Sequence, residues 1–317
     1  MFDEVKSNPL GNKGRRRLSS LAGVQDKVLI ARAADGWAEP LDGYPSSHIL
    51  KPQSGKYPSL IFDEEYGARF ARSLSLANFE TRVETFAGRR ALVVERYDRD
   101  GDGGRLHQED FNQVLGHRGD EKYETGDGDG RLRAIAAVLR EHAPAESLRD
   151  LLRMVTLSAA IGNLDLHAKN ISILHDPDGG VRLAPMYDVV PQLHLGLDEE
   201  LSLHVNGVSD YTQLTGADLV AEAESWRMKD ARVIVEETLG AVEQIAEAEH
   251  PLPGADPGLT SVAVHQSRRL RETLTQSAST PGDVTTGRIG GAVRQDSTAP
   301  EVFPSRIAAG GWGGPVR

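Results

Sequence analysis

Residues 163–170 read NLDLHAKN, and the apolar run ISIL (171–174) follows at once. An Asp, a His, a Lys and an Asn fall within positions 165–170, directly before a segment that reads as a buried strand. Upstream, Leu148, Leu151, Leu152, Val155 and Ala159 recur at helical spacing, so an amphipathic helix should run straight into the octapeptide. Downstream, HDPDGG (175–180) carries strong turn chemistry between ISIL and VRLA (181–184), and a β-hairpin is expected. Just past that hairpin, PMYDVVP (185–191) supplies a further carboxylate, Asp188.

Asp165 and Asn170 stand at the D-x-x-x-x-N interval. Protein kinases separate the Asp of the catalytic loop from a metal-binding Asn by that same interval. The chemistry explains the residue types. The carboxylate accepts and orients the proton of an attacking hydroxyl, and an amide oxygen is a hard donor suited to Mg²⁺. The spacing alone is a weak signal. Helix, loop, hairpin and second Asp in that order strengthen it, because Asp188 then falls where a DFG Asp would join Mg²⁺ to the phosphates. His167 would either stabilise the transferring phosphoryl group or hydrogen-bond the loop. Metal ligation by His167, His194 and His204 is a weaker alternative, since scattered histidines are usually structural.

The first hundred residues supply matching parts. DKVLIARA (26–33) alternates and ends at Asp35-Gly36, a hairpin signal. SHILKP (47–52) reads as a short strand ending in Lys51, as the phosphate-pairing Lys of a kinase ends its strand. Glu64 lies early in the helical stretch DEEYGARFARSLSL (63–76), where it could hold Lys51 in an ion pair. SSLAGVQDKVLI (19–30) precedes these elements and would cover phosphates with backbone N–H groups, although Gly23 is its only glycine. ALVVERYD (91–98) reads as a strand, and its ERYD end falls at the expected hinge, with Glu95 and Tyr97 beside an adenine.

Composition sets the outer bounds. The 317 residues carry 47 acidic and 36 basic side chains, a net charge of −11, so wrapping of nucleic acid by the chain as a whole is disfavoured. Cysteine is absent, which excludes disulfides and thiol catalysis. There is no run of 18 apolar residues and no apolar stretch in MFDEVKSNPLGNKGRRRLSS (1–20), so a cytoplasmic, non-membrane protein is expected. QEDFNQVLG (108–116) reads as a short helix, GHRGDEKYETGDGDG (116–130) as a polar loop, and 217–226 with 230–249 as a helical pair capped by Thr215 and Asp218.

The expected fold is α+β and two-lobed, protein-kinase-like, with a strand-rich N-lobe at 19–100 and a mainly helical C-lobe at 101–275. A mobile basic arm (1–18) precedes them. A Gly-, Ser-, Thr- and Pro-rich tail (276–317) follows, which is expected to be disordered.

The stretches SSLAGVQDKV, SSHILKP, ALVVERYDR, RLHQEDFNQVLG, DLHAKNISIL and LAPMYDVVP, in this order, resemble the HipA-like serine/threonine kinase toxins of toxin–antitoxin modules. The resemblance spans about residues 17–191. It implies ATP and Mg²⁺ as cofactors, Asp165 as catalytic Asp, Asn170 and Asp188 as metal ligands, and Lys51 on the nucleotide phosphates. It implies autophosphorylation of the loop serine, Ser20 or the adjacent Ser19, whose added negative charge would repel ATP. It further implies a HipB-like helix-turn-helix antitoxin, with DNA contacted only through it, and a protein substrate such as an aminoacyl-tRNA synthetase. Longer members of the family carry an N-terminal subdomain before the loop, so a separate protein supplying it, or a truncated copy, is expected here. Two other functions compete. DLHAKN also fits a small-molecule, aminoglycoside-type phosphotransferase, and a catalytically silent pseudokinase that binds an antitoxin would keep the same lobes.

Overall fold

The computed structural model describes residues 27–276 apart from 35, 41–44, 100–103, 119–120, 122 and 125–129. Ser19, Ser20 and Gly23, the basic arm and the tail from 277 onward lie outside the described residues.

The chain opens with β1 (Val28–Ala33), β2 (Gly36–Ala38) and β3 (His48–Pro52). Helix α1 (Leu60–Ser73), β4 (Thr81–Phe86) and β5 (Arg89–Glu95) follow. The strands form one antiparallel sheet in the order β2-β1-β3-β5-β4. β5 reads ALVV at its centre, and Ala91, Leu92 and Val93 are all fully buried. Successive strand residues face opposite ways, so this strand is covered twice. Ala91 and Val93 pack with Val28, Ile30 and Leu50 on one face, and Leu92 packs with Ile61 and Phe62 of α1 on the other.

The second lobe begins at β6 (His107–Asp110), which passes directly into the single-turn α2 (Phe111–Val114). Here the structure differs from the short helix expected over 108–116. Residues 107–110 pair antiparallel with β7 (Ser172–His175), so the helix is delayed until Asp110 caps it, reciprocally with Gln113. β8 (Val181–Leu183) completes a three-stranded sheet, β6-β7-β8, and delivers the hairpin expected around HDPDGG. The body is helical: α3 (Arg131–His142), α4 (Ala145–Ile161), α5 (Gly216–Ser225), α6 (Ala231–Ala248) and α7 (Leu259–Glu272). A two-stranded ribbon, β9 (Glu200–Val205) with β10 (Val208–Asp210), lies before α5. Helix α4 is the axis, packing on α3, α5, α6 and α7. Leu151, Leu152 and Val155 are buried as their spacing required. Helix α5 starts at the Thr215–Asp218 capping box. Among the described residues, no helix is long and apolar enough to cross a membrane.

Candidate active site

Lys51 on β3 is almost wholly buried, and its ammonium donates to two carboxylates, Glu64 of α1 and Asp188 beyond β8. Lys27 adds a second cation, with Nζ 3.1 Å from the other Asp188 oxygen. Burial disfavours the Lys51 cation, but Asp188 and Glu64 outweigh it and hold the ammonium above its ordinary pKa. Asp188 is penalised by burial too, yet Lys27 and Lys51 together hold its carboxyl well below the usual carboxylate range. Glu64 goes the other way, because burial dominates and raises it despite Lys51.

Two backbone features make this meeting possible. Gly67, one turn after Glu64, lets α1 approach Val189, since a Cβ there would collide with the Val189 carbonyl. Asp188 itself is left-handed, with φ +53°, an unfavourable conformation for a residue with a Cβ.

The triad closes one end of a cleft of about 200 Å³ between the lobes. Ile49, Val94 and Met186 give it apolar walls, and Glu95 and Tyr97 line it as expected of a hinge. The Tyr97 ring packs between Phe79 (centroids 5.3 Å apart) and Tyr187 (5.9 Å). Glu95 has its carboxylate turned to the sheet edge, where it accepts from the Glu80 backbone N–H at 3.1 Å.

Asp165, His167 and Asn170 do not line that cleft. They form a second, buried group on the loop after α4. Gly162 ends α4 in a left-handed conformation, φ +70°, and turns the chain against Leu193. From there the loop is tied down along its length. The Gly162 carbonyl accepts from the Gln192 N–H and the Leu164 carbonyl from the Ser202 N–H. The Asn170 amide nitrogen donates to the Asp165 carbonyl at 2.8 Å, which leaves the amide oxygen as its acceptor for other groups. His167 Nε2 lies 3.9 Å from Asp165 Oδ1, and Tyr123 meets the His167 ring edge-on. The alternative trio of histidines does not converge. His194 sits 3.1 Å from Asp63 instead, and neither it nor His204 joins His167 in a metal-ligand cluster.

One chain of hydrogen bonds links the two groups. Gln108 Nε2 donates to Ser172 Oγ (3.0 Å), Ser172 meets the Tyr187 hydroxyl (2.5 Å), and Tyr187 donates to the Lys169 carbonyl (2.7 Å). Since the Tyr187 proton goes to Lys169, Ser172 must donate to Tyr187. Burial raises the Tyr187 hydroxyl pKa, so it stays a donor. Tyr187 precedes Asp188, and Lys169 precedes Asn170. The network therefore holds the two proposed metal-ligand positions in fixed relation. Tyr187, Gln108, Ser172 and Lys27 were not singled out by sequence reasoning, although all four stand inside stretches that carry the family resemblance.

Compared with known proteins, residues 19–247 match the family model described as HipA-like C-terminal domain. This chain belongs to that family. It is 37% identical over 197 residues to a putative kinase, Y4mE, of Sinorhizobium fredii, covering 60% of this chain and 46% of that one. It is 28% identical over 279 residues to the serine/threonine-protein kinase toxin HipA of Shewanella oneidensis, covering 81% of this chain and 63% of the toxin. The chain thus spans about half to two thirds of the length of these relatives. Among solved structures, HipA from the Shewanella oneidensis complex of HipA, HipB and operator DNA superposes with a TM-score of 0.67 at 24% identity. That match covers 87% of this chain and 70% of that one. The HipA-like fold is therefore the fold of this chain, two-lobed and kinase-like.

Proposed function

We propose that this HipA-like chain is an ATP- and Mg²⁺-dependent serine/threonine protein kinase, the toxin of a toxin–antitoxin module. The observation that carries the reading is the meeting of Lys51, Glu64 and Asp188 at the end of an apolar cleft. A buried lysine held charged by two carboxylates is costly to maintain, and a polyphosphate site gives it a purpose. The donor set also suits Mg²⁺: Asp188 stays ionised, and Asn170 has its nitrogen committed and its oxygen to offer. Bound there, Mg²⁺ would neutralise charge on the phosphate oxygens.

The chain's own residues take the remaining roles. Lys51, positioned by Glu64, pairs with the phosphates. Ile49, Val94 and Tyr97 receive the base, and backbone groups at 95–97 read its edge. Asp165 orients the substrate hydroxyl and accepts its proton, and His167 beside it steadies the loop. Tyr187 keeps Asp188 and the Asn170 loop in register. By family resemblance, the γ-phosphate goes to a serine of a protein such as an aminoacyl-tRNA synthetase and, in self-inactivation, to Ser20 or Ser19. A HipB-like antitoxin, the partner of the HipA relative in its complex, is the proposed partner here.

The test is incubation with Mg-ATP followed by intact-mass and peptide mass spectrometry, beside Asp165→Ala. We expect phosphate on Ser20 or Ser19 in the parent chain and none in the variant, with nucleotide binding kept by both. Transfer surviving in Asp165→Ala would remove Asp165 as the base. A parent chain that binds ATP yet phosphorylates neither itself nor any protein would overturn the kinase reading.

A further inference from the structure

The pairing of β6 with β7 sets His107 directly opposite His175. Glu109, two residues along β6, shares the face of His107. The imidazole centroids are 4.8 Å apart, with planes inclined by 40°. Glu109 Oε2 lies 2.7 Å from His175 Nε2 and 3.8 Å from His107 Nε2. One ligand atom from each of the three falls within 4.8 Å of the others, and no other such His/Asp/Glu triple occurs among the described residues.

We propose that His107, Glu109 and His175 form a binding site for a late first-row divalent ion, Zn²⁺ foremost. Two borderline imidazoles beside one carboxylate make a donor set that suits zinc and its neighbours far better than Mg²⁺. The site is therefore chemically distinct from the oxygen donors at Asn170 and Asp188. Zinc bonded at about 2.0–2.1 Å in a tetrahedron holds its ligand atoms roughly 3.3 Å apart. The observed separations bracket that value, and small side-chain rotations reach it without backbone movement.

The backbone is fixed independently. The ladder sets the register, the Asp110 cap ends β6, and the Phe111 N–H donates to the Ile171 carbonyl at 2.9 Å. His107 is the most exposed of the three, with 68% of its side chain open to solvent. The fourth coordination position is thus left to water or a further ligand.

The site has a consequence for the strand pair. β6 is an edge strand, and β7 begins two residues after Asn170. A bound ion would staple β6 to β7 in the register whose opposite face carries the diagonal Gln108–Ser172 hydrogen bond.

The test uses the full chain, free of any histidine tag and stripped with chelator. It is titrated with Zn²⁺ by calorimetry and with Co²⁺ by visible absorption. We expect one ion per chain, a ligand-field band of a site with nitrogen and oxygen donors, and a raised melting temperature. Excess Mg²⁺ should displace none of it. His107→Gln and His175→Gln should each weaken binding by roughly tenfold or more and bleach the Co²⁺ band. Both residues are at least partly exposed, so the apo variants should keep the parent's circular dichroism; Glu109→Gln gives a third, independent probe. Absence of saturable binding, or equal binding by all the variants, would overturn the site.

Discussion

The sheet lobe and the helical body bury their side chains in different ways. The sheet β1–β5 has two thin clusters, five residues on one face and three on the other. The helical body has one continuous core, running from Tyr66 of α1 through α4 to Leu274. The proposed active site is divided along the same line. Lys51 stands on the thin side. Asp165 and Asn170 stand on a loop tied into the thick side. Glu64 belongs to α1, which contributes Ile61 and Phe62 to a thin cluster and Tyr66 and Phe70 to the main core. A kinase needs both a fixed catalytic platform and a lobe that moves to admit and release nucleotide. Under the proposed kinase function, unequal burial would provide each where it is needed.

Core truncations should break this comparison first if it is wrong. Leu157→Ala in α4 removes a fully buried side chain from the continuous core, and should cost about 3–4 kcal/mol. Leu50→Ala, in a cluster that collapses more readily, should cost nearer 2 kcal/mol. Urea unfolding measures both, and equal losses would mean the two lobes are equally rigid.

Lys51→Met sharpens the comparison at the junction. It leaves the Glu64 and Asp188 carboxylates together without their shared cation, and should cost roughly 2 kcal/mol at neutral pH, less than a fully buried pair because Asp188 is 27% exposed. The pH dependence has a definite sign. Glu64 already has a raised pKa when folded, so its ionised form is the one folding disfavours. Removing Lys51 raises it further. The deficit in melting temperature should therefore shrink as pH falls below neutrality and Glu64 takes up a proton. A deficit independent of pH would show that the two carboxylates separate when the lysine is lost. Nucleotide binding should fall at every pH.

The smallest effect is expected at Tyr187→Phe, which removes one hydroxyl from the Ser172–Tyr187–Lys169 chain. Stability should drop by about 1 kcal/mol. The phosphoryl-transfer rate should fall by more than nucleotide affinity does, because Asp188 and the loop lose their common tie while the cleft walls stay. Equal loss of rate and affinity would assign Tyr187 to binding alone.

Much of this was legible in the residues. The spacing of Leu151, Leu152 and Val155 announced α4, HDPDGG announced the β7–β8 hairpin, and Thr215 with Asp218 announced the start of α5. Lys51 and Glu64 were placed by their positions at a strand end and a helix start, and the structure brings them to one cleft with Asp188. The misses have physical causes. β4 reads TRVETF, and its charged Arg82 and Glu84 masked an edge strand that holds them half-buried against Trp37. The β9–β10 ribbon turns at Asn206-Gly207, both with positive φ, an Asn-Gly hairpin signal that went unread. β6 was mistaken for helix because QEDF has no alternation, and only its partner β7 makes it extended. The Gln108–Ser172–Tyr187 chain joins three distant segments, and nothing local in any of them announces it.

Asp188 carries a consequence for which sequences this site admits. The position must supply a negative charge and hold a left-handed backbone at once. Glycine would accept the backbone and forfeit the charge. Asparagine would tolerate the backbone, but its neutral amide would deprive Lys27 of its carboxylate and leave Lys51 with Glu64 alone. Glutamate would keep the charge on a longer arm and a less tolerant backbone. Aspartate alone meets both demands, so the alphabet open to position 188 has one letter, fixed by the handedness of a single residue as firmly as by chemistry.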